Sequence, residues 1–208
     1  MDSDGVMEER GDGIAREVER ELIARARVGE RAAVRRLVDL HKDRLFAFLW
    51  RMTRNHHDAE DVCQDAFLKA FASLDSFCPD YRFSTWLFTI AYRVCLNRMR
   101  RRQVVGAEID MSAVQPAYED TEPGIAESED ADRLKRLVWE AVDRLSTPQR
   151  ATVVLFYRHG HSCQEIAQVL QLPVATVKSH LHRARNRLRE ILEALSEDDL
   201  REFRNLSA

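Results

Sequence analysis

Residues 103–130, "QVVGAEIDMSAVQPAYEDTEPGIAESED", hold eight carboxylates, Pro116 and Pro123, and no Lys or Arg. No helical spacing of apolar residues survives in this stretch, so it cannot bury enough apolar surface to offset the entropy of ordering it. It therefore cuts the chain in two, and each half must build its own core. At 208 residues the chain can supply two small cores. Charged residues make up 32% and there are only seven Gly and five Pro, a composition that suits helices better than an all-β fold. The expected fold is all-α: two helical domains joined by an acidic flexible linker, the second containing a helix-turn-helix. The expected boundaries are a polar tail over 1–19, a domain over 20–102, the linker over 103–130, a domain over 131–195 and a tail over 196–208. The linker is open to two readings. It is either a plain tether or a polyanion suited to a channel built for nucleic acid.

The second half carries the sharper signal. Leu134, Leu137, Val138, Ala141, Val142 and Leu145 form a helical stripe. "LSTPQRATVVLFYRHG" follows, with Ser146 or Thr147 to cap, Pro148 in the first turn, and Val153, Val154, Leu155 and Phe156 for a core. Gly160 suits a helix end that needs a left-handed residue. Ser162 and Glu165 then make an S-x-x-E capping box ahead of Ile166, Ala167 and Leu170. "QLPVAT" is too short for a free loop, and Pro173 fits the first turn of a new helix. That new helix repeats Val177, Leu181, Ala184 and Leu188 on one side. Lys178, His180, His182, Arg183, Arg185, Arg187 and Arg189 lie between them. A short helix, a tight turn and a longer basic helix make a helix-turn-helix, whose second helix fits a DNA major groove. Gln171 stands where many such turns carry Gly.

The first half is also helical. "EVERELIARARVG" ends at Gly29, and Val34, Leu37, His41, Leu45, Phe48, Leu49 and Met52 mark the buried side of a long helix. In "NHHDAEDVCQDAFLKAFASL", Val62, Ala66, Phe67, Ala70 and Phe71 form an apolar face. Asp58, Asp61, Gln64 and Asp65 line a polar one, which is either a solvated face or a partner surface. In "DSFCPDYRFSTWLFTIAYRVCLNRMRRRQ", Phe83 and Ser84 read as staple and cap, with Trp86, Leu87, Ile90, Ala91 and Val94 as core. Arg93, Asn97, Arg98, Arg100, Arg101 and Arg102 gather on the other side. Rings beside arginines either pack in a core or stack on single-stranded bases while Arg tracks phosphate.

Several classes are disfavoured. No apolar run approaches the length of a membrane span, so no membrane insertion is expected. The opening "MDSDGVMEERGDGIAREVER" is polar and acidic, unlike a signal peptide, which makes the cytoplasm the expected compartment. Cys63, Cys78, Cys95 and Cys163 show no C-x-x-C spacing, so neither zinc knuckle nor disulfide framework is signalled. His159, His161 and Cys163 alternate, yet the capping box already explains that stretch and no fourth ligand is evident. No metal, no cofactor and no catalytic residue is expected. The formal net charge of −3 argues against a freestanding DNA binder, because phosphate neutralisation dominates such affinity.

"DAEDVCQDAFLKAF", "FSTWLFTIAYRVCLNRMRRR", the acidic linker and "SCQEIAQVLQLPVATVKSHLHRARNRLR", in that order, resemble the bacterial extracytoplasmic function (ECF) sigma factors over about residues 20–195. The resemblance implies a non-enzymatic factor that brings core RNA polymerase to promoters and starts transcription. By position it implies that Asp58, Asp61, Gln64 and Asp65 face the clamp helices of the largest polymerase subunit. It puts base capture at the minus-ten element on the loop from Phe77 through Asp80 to Tyr81. Arg93 and Asn97 would contact that element, and the Arg98–Arg102 run, with Arg100 and Arg101, would hold phosphates. Thr176, Lys178, Ser179, His182 and Arg183 would meet the minus-thirty-five element. Trp86 would support the core. It further implies that the second domain meets the flap of the second polymerase subunit, that the linker enters the active-site cleft, that an anti-sigma factor is a possible partner, and that the free protein is a monomer.

Other readings lack residues they need. A response regulator would need a βα receiver, and the first half has no strand pattern. An enzyme acting on nucleic acid would need a metal-binding carboxylate or nucleophile constellation, and no second ligand cluster accompanies Asp58, Asp61 and Asp65. A protein-binding scaffold leaves two basic helices without a role.

Overall fold

The computed structural model describes the backbone of residues 4–104 and 129–206, and side chains over 16–102 and 135–194. Every regular element among the described residues is helical. The linker readings fall outside these residues. Two compact units form: one from the residues up to Leu49 together with those from His57 onward, the other from Trp50–His56 and the residues of the second half.

In the first unit, α1 (Asp4–Arg27) leads into α2 (Arg31–Thr53, whose last turn from Trp50 belongs to the second unit), α3 (His56–Ala72), a 3-10 turn (Leu74–Ser76) and α4 (Phe83–Val104). Gly29, at φ +81°, ends α1: its N–H donates to the Ala26 carbonyl and that of Glu30 to the Arg25 carbonyl. The apolar stripes then close on one another. Leu37, Leu45, Phe48 and Leu49 of α2 are fully buried with Val62 and Ala66 of α3 and Phe83, Leu87 and Phe88 of α4. Phe48 and Phe88 meet at 5.3 Å between ring centroids, a tilted pairing favoured by the ring quadrupoles. Val34, Phe71, Trp86 and Ile90 are only half-buried, at the edge of the stripe expected for them. α4 begins at Phe83, one residue before the expected cap at Ser84, because the fully buried Phe83 ring is anchored by Phe77 and Trp86.

In the second unit, α5 (Glu129–Asp143), α6 (Thr147–Val153), a π-turn (Val154–Arg158), α7 (Cys163–Leu170) and α8 (Val174–Leu206) follow. α5, α6 and α7 each pack on α8, so the long basic helix is the spine of this unit. Val138, expected in the stripe, is 37% exposed; Ala141, Val142 and Leu145 carry the burial instead. Ser146 precedes α6 but bonds the Gln149 side chain and caps no backbone N–H. The helix widens into the π-turn at Val154, which lets the His161 N–H reach the Leu155 carbonyl. α8 runs to Leu206, where the sequence suggests a frayed tail.

The turn between α7 and α8 departs from glycine usage. Gln171 holds φ 56° and ψ 47°, with its own N–H on the Gln168 carbonyl and that of Leu172 on the Ala167 carbonyl. A side chain in this region costs about 1–2 kcal/mol. Gln171→Gly should therefore raise unit stability by a few tenths to ~1 kcal/mol, after the looser unfolded glycine offsets part of the gain. Urea unfolding would read it, and a destabilised variant would mean that the Gln171 side chain supplies more than the strain removes.

Candidate functional site

The capping box sets the first helix of the helix-turn-helix. Ser162 Oγ accepts from the Glu165 N–H at 3.2 Å, and Glu165 Oε2 accepts from the Ser162 N–H at 2.8 Å. Ile166, Val169 and Leu170 of α7 and Val177, Leu181 and Ala184 of α8 are buried together. The opposite side of α8 is thereby turned outward. Lys178, Ser179, His182 and Arg183 are exposed, and Thr176 is half-buried. Burial, with Arg183 beside it, holds the half-buried His180 imidazole below its ordinary range. Arg185 is held in place: its Nε donates to the Tyr157 hydroxyl at 2.7 Å. Tyr157, 58% exposed on the π-turn, escaped the sequence reading, and only the tertiary pairing with Arg185 brings it out. The result is an outward row of donors on a rigid helix, fit for phosphates and base edges.

In the first unit, the stretch after the 3-10 turn forms a second exposed feature. The Tyr81 N–H donates to the Cys78 carbonyl at 3.2 Å, closing a turn whose Cys78, Pro79, Asp80 and Tyr81 all face solvent. Tyr81 is 54% exposed. Phe77 is not on the open side of this loop. It is 4% exposed, its ring packed on Phe83 at 5.6 Å and Trp86 at 5.2 Å, so it supports the loop from below. Arg93, Asn97, Arg100 and Arg101 recur at helical spacing along α4 and are all exposed. They form one cationic row.

Arg98 and Arg102 do not join that row. Arg98 donates to Asp58 at 3.2 Å and to Asp61 at 2.6 Å, and Arg102 pairs with Asp58 as well. Burial pulls Arg98 basicity down, but the bonds to Asp61 and Asp58 outweigh it and the guanidinium is more basic than usual. The expectation of an outward Asp58 is corrected accordingly. Asp58 is 6% exposed and fastens α3 to α4, since a buried carboxylate needs cationic partners. Gln64 and Asp65 are exposed and Asp61 is half-buried. Leu68, missed from sequence, is 70% exposed one turn beyond them. Its signal was an apolar residue out of phase with Val62, Ala66, Phe67 and Ala70.

His159 and His161 are buried with ring centroids 6.4 Å apart, and Cys163 is half-buried. Among the described residues, no three His, Cys, Asp or Glu side chains gather as a metal site. All four cysteines are free thiols. Burial and the nearby Asp43 carboxylate push the Cys63 thiol up to about 11, so it stays protonated at neutral pH. No described helix is long and apolar enough to cross a membrane.

Against known proteins, residues 37–104 match the family model for sigma-70 region 2, and residues 135–188 match that for sigma-70, region 4. The ECF RNA polymerase sigma factor SigW of Bacillus subtilis is 32% identical over 179 residues, covering 83% of this chain and 96% of that protein. The ECF RNA polymerase sigma factor SigM of Mycobacterium tuberculosis is 34% identical over 176 residues, covering 85% of each. Solved structures are similar as well. CnrH in complex with the cytosolic domain of CnrY matches at a TM-score of 0.63 and 29% identity, covering 85% of this chain and 98% of that one. The sigma factor RpoE in complex with the anti-sigma factor NepR, from Bartonella quintana, matches at 0.60 and 31%, covering 76% and 96%.

Proposed function

This chain belongs to the ECF sigma factors of the sigma-70 family, and on that footing we propose how its own surfaces divide the work of promoter recognition. As a sigma factor it directs RNA polymerase to specific promoters and initiates transcription. The observation that carries the assignment of surfaces is the α8 face, where Val177, Leu181 and Ala184 are buried and Lys178, Ser179, His182 and Arg183 point outward. That face, with Thr176, reads the minus-thirty-five duplex in the major groove. Tyr81 and Asp80 take part in capturing a minus-ten base, with Phe77 beneath them. Arg93 and Asn97 contact the same element, and Arg100 and Arg101 hold its phosphates.

Asp61, Gln64, Asp65 and Leu68 form the docking face for the polymerase clamp helices, a charged row with one apolar anchor. Asp58 acts through Arg98 and Arg102 by holding that helix in place. Residues 20–102 then serve core binding and minus-ten melting, 131–195 serve the minus-thirty-five contact and meet the flap, and 103–130 thread the cleft as a polyanion. The protein works without catalysis of its own, in the cytoplasm with the polymerase, and as a monomer when free. RpoE is seen with the anti-sigma factor NepR and CnrH with the cytosolic domain of CnrY, and an anti-sigma partner suits this chain.

Copurification with core polymerase followed by run-off transcription tests the reading directly. Lys178→Ala or His182→Ala should change which minus-thirty-five sequences are selected from a promoter library, by the roughly 1–3 kcal/mol that one good base contact contributes. Arg101→Ala should weaken all promoters alike with a shallower salt dependence. Identical base preference in wild type and both α8 variants would remove α8 from the groove.

A further inference from the structure

The loop read above as a base-capture element does not stand alone: α1 forms a cleft with it. Arg16, Glu19, Arg20 and Ile23 of α1 line one side, and Phe77, Pro79, Asp80, Tyr81 and Arg82 line the other, of a shallow groove that is open to solvent. The α1 wall is joined to the loop by more than proximity. The Arg27 guanidinium donates to the Leu74 carbonyl at 3.3 Å and to the Phe77 carbonyl at 2.5 Å, fixing the start of the loop from α1. None of these α1 residues falls inside the stretch that matches sigma-70 region 2, residues 37–104.

The chemistry of the cleft is that of a nucleotide. One side offers the exposed Tyr81 ring, on which a base can stack. The other offers two guanidiniums one helical turn apart, Arg16 and Arg20, with Arg82 across from them. Glu19 lines the same side, but its Oε1 lies 2.9 Å from His41 Nε2. Arg20 sits 3.8 Å from Glu17 in an exposed pair, which a phosphate easily displaces. We propose that α1 is the phosphate-holding wall of a single-nucleotide site on single-stranded DNA, with Arg16 and Arg20 gripping the backbone beside the base that stacks on Tyr81. This rests on the base-capture reading of the loop, and extends the site to a helix that the family match leaves out.

The test uses holoenzyme reconstituted with core polymerase and a fluorescein-labelled single-stranded DNA oligonucleotide of random sequence, titrated across a salt series. Arg16→Ala with Arg20→Ala should weaken binding and lower the log–log salt slope by about 0.7 for each phosphate no longer neutralised. Arg16→Lys with Arg20→Lys should keep the slope. Tyr81→Ala should weaken binding roughly tenfold or more, as removal of one base–aromatic stack does, with the slope unchanged. An alanine pair that binds with wild-type affinity and slope, while Tyr81→Ala weakens, overturns the α1 wall and leaves the loop reading standing. If Tyr81→Ala has no effect, the base-capture reading fails and the nucleotide site fails with it.

Discussion

Core polymerase is expected to bind the Gln64→Arg/Asp65→Arg variant roughly 10- to 100-fold more weakly than the parent protein. Both side chains are exposed on α3, so the substitution leaves the packing of Val62, Ala66 and Phe67 untouched. On the docking reading proposed for α3, it removes the Asp65 carboxylate and adds two cations to that face, and the loss should shrink as salt screens the added charges. Asp61→Arg would be a poorer choice, because Asp61 accepts a hydrogen bond from Arg98 and its reversal would also loosen α3 from α4. Leu68→Ala provides the apolar counterpart, weakening binding with little change in salt dependence. Equal affinity of the double variant and the parent, in an anisotropy titration at low and moderate salt, would take α3 out of the interface.

Phe48→Ala should destabilise the first unit by about 3–5 kcal/mol, the cost of a large ring removed from a core that cannot collapse around the gap. Phe48 has no exposed surface and its ring meets that of Phe88. For a unit of this size such a loss lowers the melting temperature by more than about 10 °C. Phe48→Leu, which keeps most of the volume, should lose much less. Calorimetry on both variants decides it, and a loss below about 1 kcal/mol for alanine would mean that the ring is not packed as described.

Periodicity and caps alone marked most of the helices, because an apolar repeat at three and four residues leaves an amphipathic segment few other ways to bury its stripe. They did not give the start of α1 at Asp4 where a polar tail is expected, the π-turn at Val154 or the run of α8 to Leu206. The S-x-x-E box at Ser162 and Glu165, the left-handed Gly160 and the outward face of Lys178, Ser179, His182 and Arg183 follow from spacing in the same way. Composition points to a break at the acidic stretch, but nothing in it assigns Trp50–His56 to the second unit. What one helix does against another was decided only by the tertiary structure. Asp58 and Asp61 are indistinguishable by spacing, but Asp58 meets both Arg98 and Arg102 across the α3–α4 contact and is buried, while Asp61 stays half-open. Those same ion pairs withdraw Arg98 and Arg102 from the cationic row and leave Arg100 and Arg101 outward. Phe77 and Tyr81, four residues apart on one loop, part ways because Phe83 and Trp86 offer the first a floor to pack on, while the second stays more than half exposed. Arg27 reaches the carbonyls of Leu74 and Phe77 across some fifty residues of chain, a pairing with no local signature. The reason is common to all four: a one-dimensional pattern states which face of a helix is apolar, and long-range electrostatic and aromatic partners, set by how the helices cross, determine which polar and aromatic residues remain for another molecule.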